Sequence, residues 1–97
     1  MDVSYIDRIA TEVEHQLLVE HRPKKRSRDL YRYYALLVLT LGSTTTLENV
    51  HDAWSAWMTA ERPSHPSLVP FTELSEEQQQ QDRPYMEAIH RVAQKVT

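Results

Sequence analysis

Between Arg62 and Phe71 the chain carries Pro63, Pro66 and Pro70, and that spacing constrains the fold more than any other feature. Each proline fixes its own φ and removes a backbone donor. Each also pushes the residue before it, here Arg62, His65 and Val69, toward extended backbone. No regular helix survives this, so residues 62–71 are expected to form a stiff extended arm. Yet "HPSLVPFTEL" (65–74) is apolar, whereas connecting segments are usually polar and variable. Leu68, Val69, Phe71 and Leu74 need a surface to pack on.

The other prolines and the single glycine divide the rest into helices. Pro23 closes a first helix expected from Ser4 to about Glu20, with Ser4 as N-cap and Asp7 in the first turn. Ile6, Ile9, Val13 and Leu17 recur at helical steps along it. Ser27 is placed to cap a second helix, "RDLYRYYALLVLTL" (28–41). There Leu30, Tyr34, Leu37 and Leu41 form one stripe, and Tyr31, Tyr33, Leu36, Val38 and Leu39 fill between. A helix apolar on all sides is expected at the centre. Gly42 follows at once and suits the left-handed position after a helix end.

Thr45 or Thr46 opens a third helix, "LENVHDAWSAWMTA" (47–60). Leu47, Val50, Trp54 and Trp57 share a face, and Ala53, Ala56 and Ala60 would let a neighbour approach closely. "SEEQ" (75–78) is a capping box that starts a short helix from Glu76 to about Gln81. Asp82 is expected to cap a final helix near Arg83 to Lys95, with Pro84 in its first turn. Tyr85, Ile89, Val92 and Val96 form its buried stripe. The expected fold class is all-α: a small bundle of four to five helices with a proline-rich extended arm packed across it. Residues 1–97 form a single domain, in which 1–42 is an N-terminal helix pair.

Composition narrows the function classes. Ninety-seven residues support one modest core. The chain has no cysteine, which excludes disulfides and thiolate metal sites. The net charge of −3 argues against a general nucleic-acid binder, whose domain is usually basic. No apolar run reaches the length of a membrane span. The start, "MDVSYIDRIA", lacks the basic-then-apolar order of a secretory signal. The expected location is cytoplasmic.

Candidate sites follow from residue types. Trp54 and Trp57 lie three apart on one helical face, either as core or as an aromatic wall for a ligand or partner. "RPKKRSR" (22–28) gathers Arg22, Lys24, Lys25, Arg26 and Arg28, either a solvated turn or a contact for phosphate or an acidic partner. His51 and Asp52 are adjacent and point to different faces, and no HExxH pattern occurs. No metal site is expected. His65, before Pro66, is expected to hydrogen-bond backbone at a turn, and His15 and His90 to be exposed. There is no nucleophile elbow, cysteine or glycine-rich phosphate loop, so neither an enzyme nor a cofactor is expected.

The run "LENVHDAW", followed by "HPSLVPFTELSEEQQQQDRPYMEAIHRVA", resembles the ryanodine-receptor-type repeat. The matching positions are Glu48, Asn49, Val50, His51 and Trp54, then His65, Pro66, Leu68, Val69, Phe71 and Leu74. The resemblance covers about Leu47 to Val96, the C-terminal half, and extends to short actinobacterial and phage proteins containing such a half. It departs at Gln78, where the pattern has an acid, and in its short inter-block loop. The resemblance implies an all-α repeat in which Leu68, Val69 and Phe71 are core residues delivered by a loop, with Phe71 against the tryptophan face. It also implies a regulatory or interaction module, and nucleotide binding in some relatives.

Two functions are therefore expected. The first is a non-catalytic interaction or regulatory protein, acting through a homodimer or a protein partner. The alternative is a sensor of a nucleotide-type ligand. In that case Trp54 or Trp57 would stack on the base, and Arg62, Lys24 or Lys25 would meet phosphate. His51 and His65 complete this candidate surface. DNA binding through "PKKRSR" ranks last on charge.

Overall fold

The structure, a computed structural model, describes residues 4–18, 21–22 and 27–96. Among them it is all-α, with no strand. The elements are α1 (Tyr5–Gln16), α2 (Arg28–Thr40), α3 (Leu47–Glu61), the short α4 (Glu76–Gln80) and α5 (Arg83–Val96), with 3₁₀ turns at Gly42–Thr44 and Phe71–Glu73.

Local chemistry sets most boundaries. The Ser4 hydroxyl accepts from the Asp7 amide and caps α1. That helix stops earlier than Pro23 implied: Leu17 turns to extended backbone, and its N–H bonds the Glu14 carbonyl. The turn drops Leu17 into the core while Leu18 stays exposed. Arg91 of α5 then donates to the Gln16 side chain at 3.0 Å and to its backbone carbonyl at 3.1 Å, occupying a carbonyl that the helix end orphans. Ser27 stands at the N-cap of α2, but its hydroxyl makes no capping bond. Gly42 follows α2 with φ +56°, the left-handed position its sequence context suggests. Thr46 and Asn49 form a reciprocal capping box on α3, and Ser75 and Gln78 form another on α4.

The core is built from α1, α2, α3 and α5. Ala10 and Val13 of α1, Leu30, Tyr31, Tyr34, Ala35 and Val38 of α2, Val50 and Ala53 of α3, and Ala88, Ile89, Val92 and Ala93 of α5 are buried together with Leu17. Burial of each large apolar side chain here stabilises by roughly 1.5–3 kcal/mol. Arg32 links α1 to α2, bonding Asp7 at 2.7 Å and Asp29 at 2.8 Å. That guanidinium holds the Asp7 carboxyl below its ordinary range.

Three expectations need correction. First, α2 is not buried all round: Tyr33, Leu36 and Leu39 are exposed, as is Leu41 just beyond it. Helices cover only one side of α2, since α1, α3 and α5 all pack from the core. For the same reason Ala56 and Ala60 face solvent and only Ala53 of the three alanines is buried, while Val96 is half exposed at the end of the α5 stripe. Second, the arm is not extended. His65 N–H bonds the Arg62 carbonyl, Leu68 N–H the His65 carbonyl and Glu73 N–H the Pro70 carbonyl. Pro63 and Pro66 therefore sit at the second position of successive β-turns, where their fixed φ is favourable. Proline stiffness here produces folding back, not reach. Third, His90 is half-buried, and its Nε2 bonds the Thr45 carbonyl at 2.7 Å. A carbonyl only accepts, so that nitrogen carries the proton.

Candidate functional site

The turned arm, α2, α3, α4 and the start of α5 enclose a cavity of about 440 Å³, within the range typical of small-molecule sites. Its position follows from the arm. Prolines bend residues 62–71 into turns, and His51 on α3 then ties them down: its Nε2 lies 2.7 Å from the Val69 carbonyl. A carbonyl only accepts, so Nε2 is the donor. Gln79 of α4 secures the far end by donating to the Phe71 and Leu74 carbonyls.

Aromatic rings wall the space. Phe71 lies 6.2 Å from the His51 ring, His51 stacks on Trp54 at 5.7 Å, and the His65 edge meets Trp54 at 5.0 Å. Such offset and edge-on geometries are the favourable ones. Phe71 thus rests on His51, not on the tryptophans, and Leu68, Val69 and Phe71 are half-buried side chains of the arm outside the fully buried core. His65 Nδ1 accepts from the Ser67 amide at 3.0 Å, so His65 bonds backbone at its turn. Tyr34 and Tyr85, with ring centroids 5.6 Å apart, line the same cavity from α2 and α5. The Tyr85 hydroxyl donates to the His21 carbonyl.

Asp82 is the acid in this lining, and no lysine or arginine contributes among the described residues. Burial raises its carboxyl to about 6, with His51 opposing the shift. The same carboxylate and burial raise the Tyr34 and Tyr85 hydroxyls above their ordinary range, burial being the larger cause.

Asp82 was expected to cap α5 and does not. An N-cap side chain bonds the N–H of the second or third helical residue. The second here is Pro84, which has none, and the third, Tyr85, gives its N–H to the Asp82 carbonyl. The carboxyl is left without a local partner. Pro84 was the sequence signal for this, and it reads correctly only when the amides are counted.

Of the residues singled out from sequence, Trp54, Trp57, His51 and His65 come together around the cavity. Arg62 is the exposed C-cap of α3, outside the lining. Lys24, Lys25 and Arg26 lie outside the described residues. Arg28 is exposed. Arg22 is half-buried, and its Nε and the Tyr31 hydroxyl are buried with no hydrogen-bond partner among the described residues. Desolvation first, then Glu14, pushes the Tyr31 hydroxyl up to about 12. No cluster of three metal-ligating side chains occurs among the described residues, and no described helix is long and apolar enough to cross a membrane.

A second hollow, about 430 Å³, lies on the outer side of α2 between Ile6, Tyr33, Leu36, Trp57 and Ala60, rimmed by Asp29, Arg32 and Glu61. Trp57 lines both hollows.

Fold and site together define a small all-α domain with a half-open, aromatic-walled cavity flanked by a proline-turned strap. The chain belongs to the family described as domain of unknown function (DUF7701), whose model matches residues 4–94. This match corrects the kinship read from the C-terminal half: no ryanodine-receptor-repeat model matches, and the family extends across all the helices. The residue blocks that suggested the repeat have local tasks instead. Asn49 closes a capping box, Val50 fills the core, His51 holds the arm, and Trp54 stacks on His51. No curated protein and no solved structure matches the chain.

Proposed function

We propose that this protein is a non-catalytic binding module that holds a small molecule between α3, the strap and the start of α5. The observation that carries this reading is the cavity of about 440 Å³ walled by Trp54, Trp57, Tyr34, Tyr85 and His65. Aromatic and apolar walls with a few polar groups are the usual makeup of a ligand pocket. Binding, not turnover, is favoured because both histidines already spend a ring nitrogen on backbone groups and the described residues of the lining include no cysteine or lysine. The nucleotide-type expectation retains its stacking surface, and among the described residues the lining holds no lysine or arginine to meet a phosphate; Lys24 and Lys25 lie outside the described residues.

The test is a small-molecule fragment panel read by tryptophan fluorescence and thermal shift. Binding of any member at millimolar concentration, lost on Trp54→Leu in a folded variant, supports the reading, since a ligand of the native state raises the Tm by mass action. A diverse panel without a single fluorescence or Tm response refutes it.

A second reading is favoured by the exposed face of α2. Tyr33 and Leu36 border an apolar hollow whose rim mixes Asp29, Arg32 and Glu61. A surface carrying both signs of charge can complement itself about a two-fold axis, which points to a second copy of this chain. Light scattering at high concentration should show a dimer that Leu36→Glu disrupts. A monomer throughout excludes it.

A further inference from the structure

We propose that the cavity selects a small organic cation, a protonated aryl-alkyl amine whose ammonium group meets the Asp82 carboxylate while its ring lies among Trp54, Trp57 and His65. This deepens the ligand-binding reading and rests on it.

The argument is one of complementarity. The lining offers one carboxylate and no lysine or arginine among the described residues, so a carboxylate or phosphate ligand would meet uncompensated repulsion. Among the described residues no hydrogen-bond donor sits on this carboxylate, and burial first, then His51, act on its titration. An ammonium group supplies those N–H donors and the opposite charge, and charge-assisted bonds of this type are the strong ones. The surrounding faces add to the preference. Trp54, Trp57, Tyr34 and Tyr85 line the same space, and aromatic faces attract cations, tryptophan most of all. The volume, about 440 Å³, accommodates a phenyl-sized body together with its amine.

His51 Nε2 donates to Val69 and His65 Nδ1 accepts from Ser67, so one ring nitrogen of each is committed to backbone. The titratable groups facing Asp82 are His51 from α3, Tyr34 from α2, Tyr85 from α5 and, across the cavity, His65 from the strap. The tyrosines stay protonated at neutral pH because their hydroxyls are shifted upward. Asp82, whose carboxyl burial raises to about 6, gains its charge between mildly acidic and neutral solution, and cation binding should strengthen across that interval.

The test compares phenethylamine, 2-phenylethanol and 3-phenylpropionate, matched in shape and differing in charge, by titration calorimetry and tryptophan fluorescence at pH 7.5 and pH 5. Phenethylamine is expected to bind about tenfold or more tighter than 2-phenylethanol at pH 7.5, the scale of one hydrogen bond to a charged group. That advantage should shrink at pH 5 and disappear in Asp82→Asn, whose fold is checked by its melting curve. N-acetyl-lysine methylamide tests the other source of an ammonium group. If it binds more tightly than phenethylamine, the free-amine proposal is overturned in favour of a protein lysine. Equal binding of amine and alcohol overturns the cation preference and leaves the cavity as a ligand site. No response to any probe, together with a silent fragment panel, removes the site itself.

Discussion

Replacing Asp82 with asparagine should make the protein more stable at neutral pH and leave it unchanged in acid. The carboxyl titrates near 3.8 in its ordinary state and near 6 in the fold, because burial penalises its charge. The folded chain therefore binds this proton more tightly than the unfolded chain. The Asp82 contribution to stability must fall as pH climbs from about 4 to about 6 and then level off, which is the linkage relation with more protons bound in the native state. Full conversion of the shift gives an upper bound of about 3 kcal/mol. The side chain is only half-buried and water in the cavity screens it, so about 1 kcal/mol is the expected cost. Asparagine has the same shape and no charge, and at pH 7.5 it should raise Tm by roughly 4–8 °C, the scale for a domain of this size. Calorimetric melts of both proteins at pH 4 and pH 7.5 check this. A variant that melts at or below wild type at pH 7.5 would refute the argument, since it would mean that the ionised carboxylate is favourably solvated or bonded in the native state.

Two further substitutions probe the strap and the α2–α3 corner. His51→Phe keeps the ring between Phe71 and Trp54 but strands the Val69 carbonyl; it should cost about 1–3 kcal/mol in denaturant melts and speed proteolysis within residues 62–74. Gly42→Ala should cost about 1–2 kcal/mol because of its φ of +56°. The added Cβ itself would meet only Ala93 at an ordinary 3.7 Å, so Gly42→Asn, which tolerates this conformation, should recover part of the loss by the same assay.

What was legible in the sequence was whatever is decided within a few residues. Ser4, Thr46 and Ser75 each cap a helix because the receiving amide lies three positions away, and Gly42 supplies a left-handed φ that its neighbours could adopt only at a cost. The onset of α5 was readable from Pro84 in its first turn, although the expected Asp82 cap does not form. The arm shows where local reading fails by degree. Its prolines do exclude helix, but the same fixed φ serves an extended strand or the second position of a turn, and the hydrogen bonds from His65 and Leu68 select the turn. Burial on α2 was not legible at all from its pattern. An uninterrupted apolar helix gives no indication of which side lacks a neighbour, and that side carries Tyr33, Leu36 and Leu39. The candidate site divides in the same way. Trp54, Trp57, His51 and His65 were recognisable as one surface because α3 and the adjoining strap present them together. Asp82 reaches that surface from the residue just before α5, a tertiary relation that only an amide count at Pro84 would have hinted at.

The position of Asp82 also couples the protein's stability to what it binds. A half-buried carboxylate with no donor among the described residues makes the empty native state less stable at neutral pH than an asparagine would. A cation that docks on it relieves that cost on the native side alone, because the unfolded chain solvates the carboxylate freely. Ligand stabilisation must then exceed what the ring contacts alone contribute, and the excess must vanish wherever Asp82 is already neutral. An aryl-alkyl amine should raise the Tm more at pH 7.5 than at pH 5, while its uncharged alcohol raises it equally at both. If the two ligands stabilise the protein in parallel across that range, the acid in the cavity is a tolerated defect of packing and not the group that chooses the ligand.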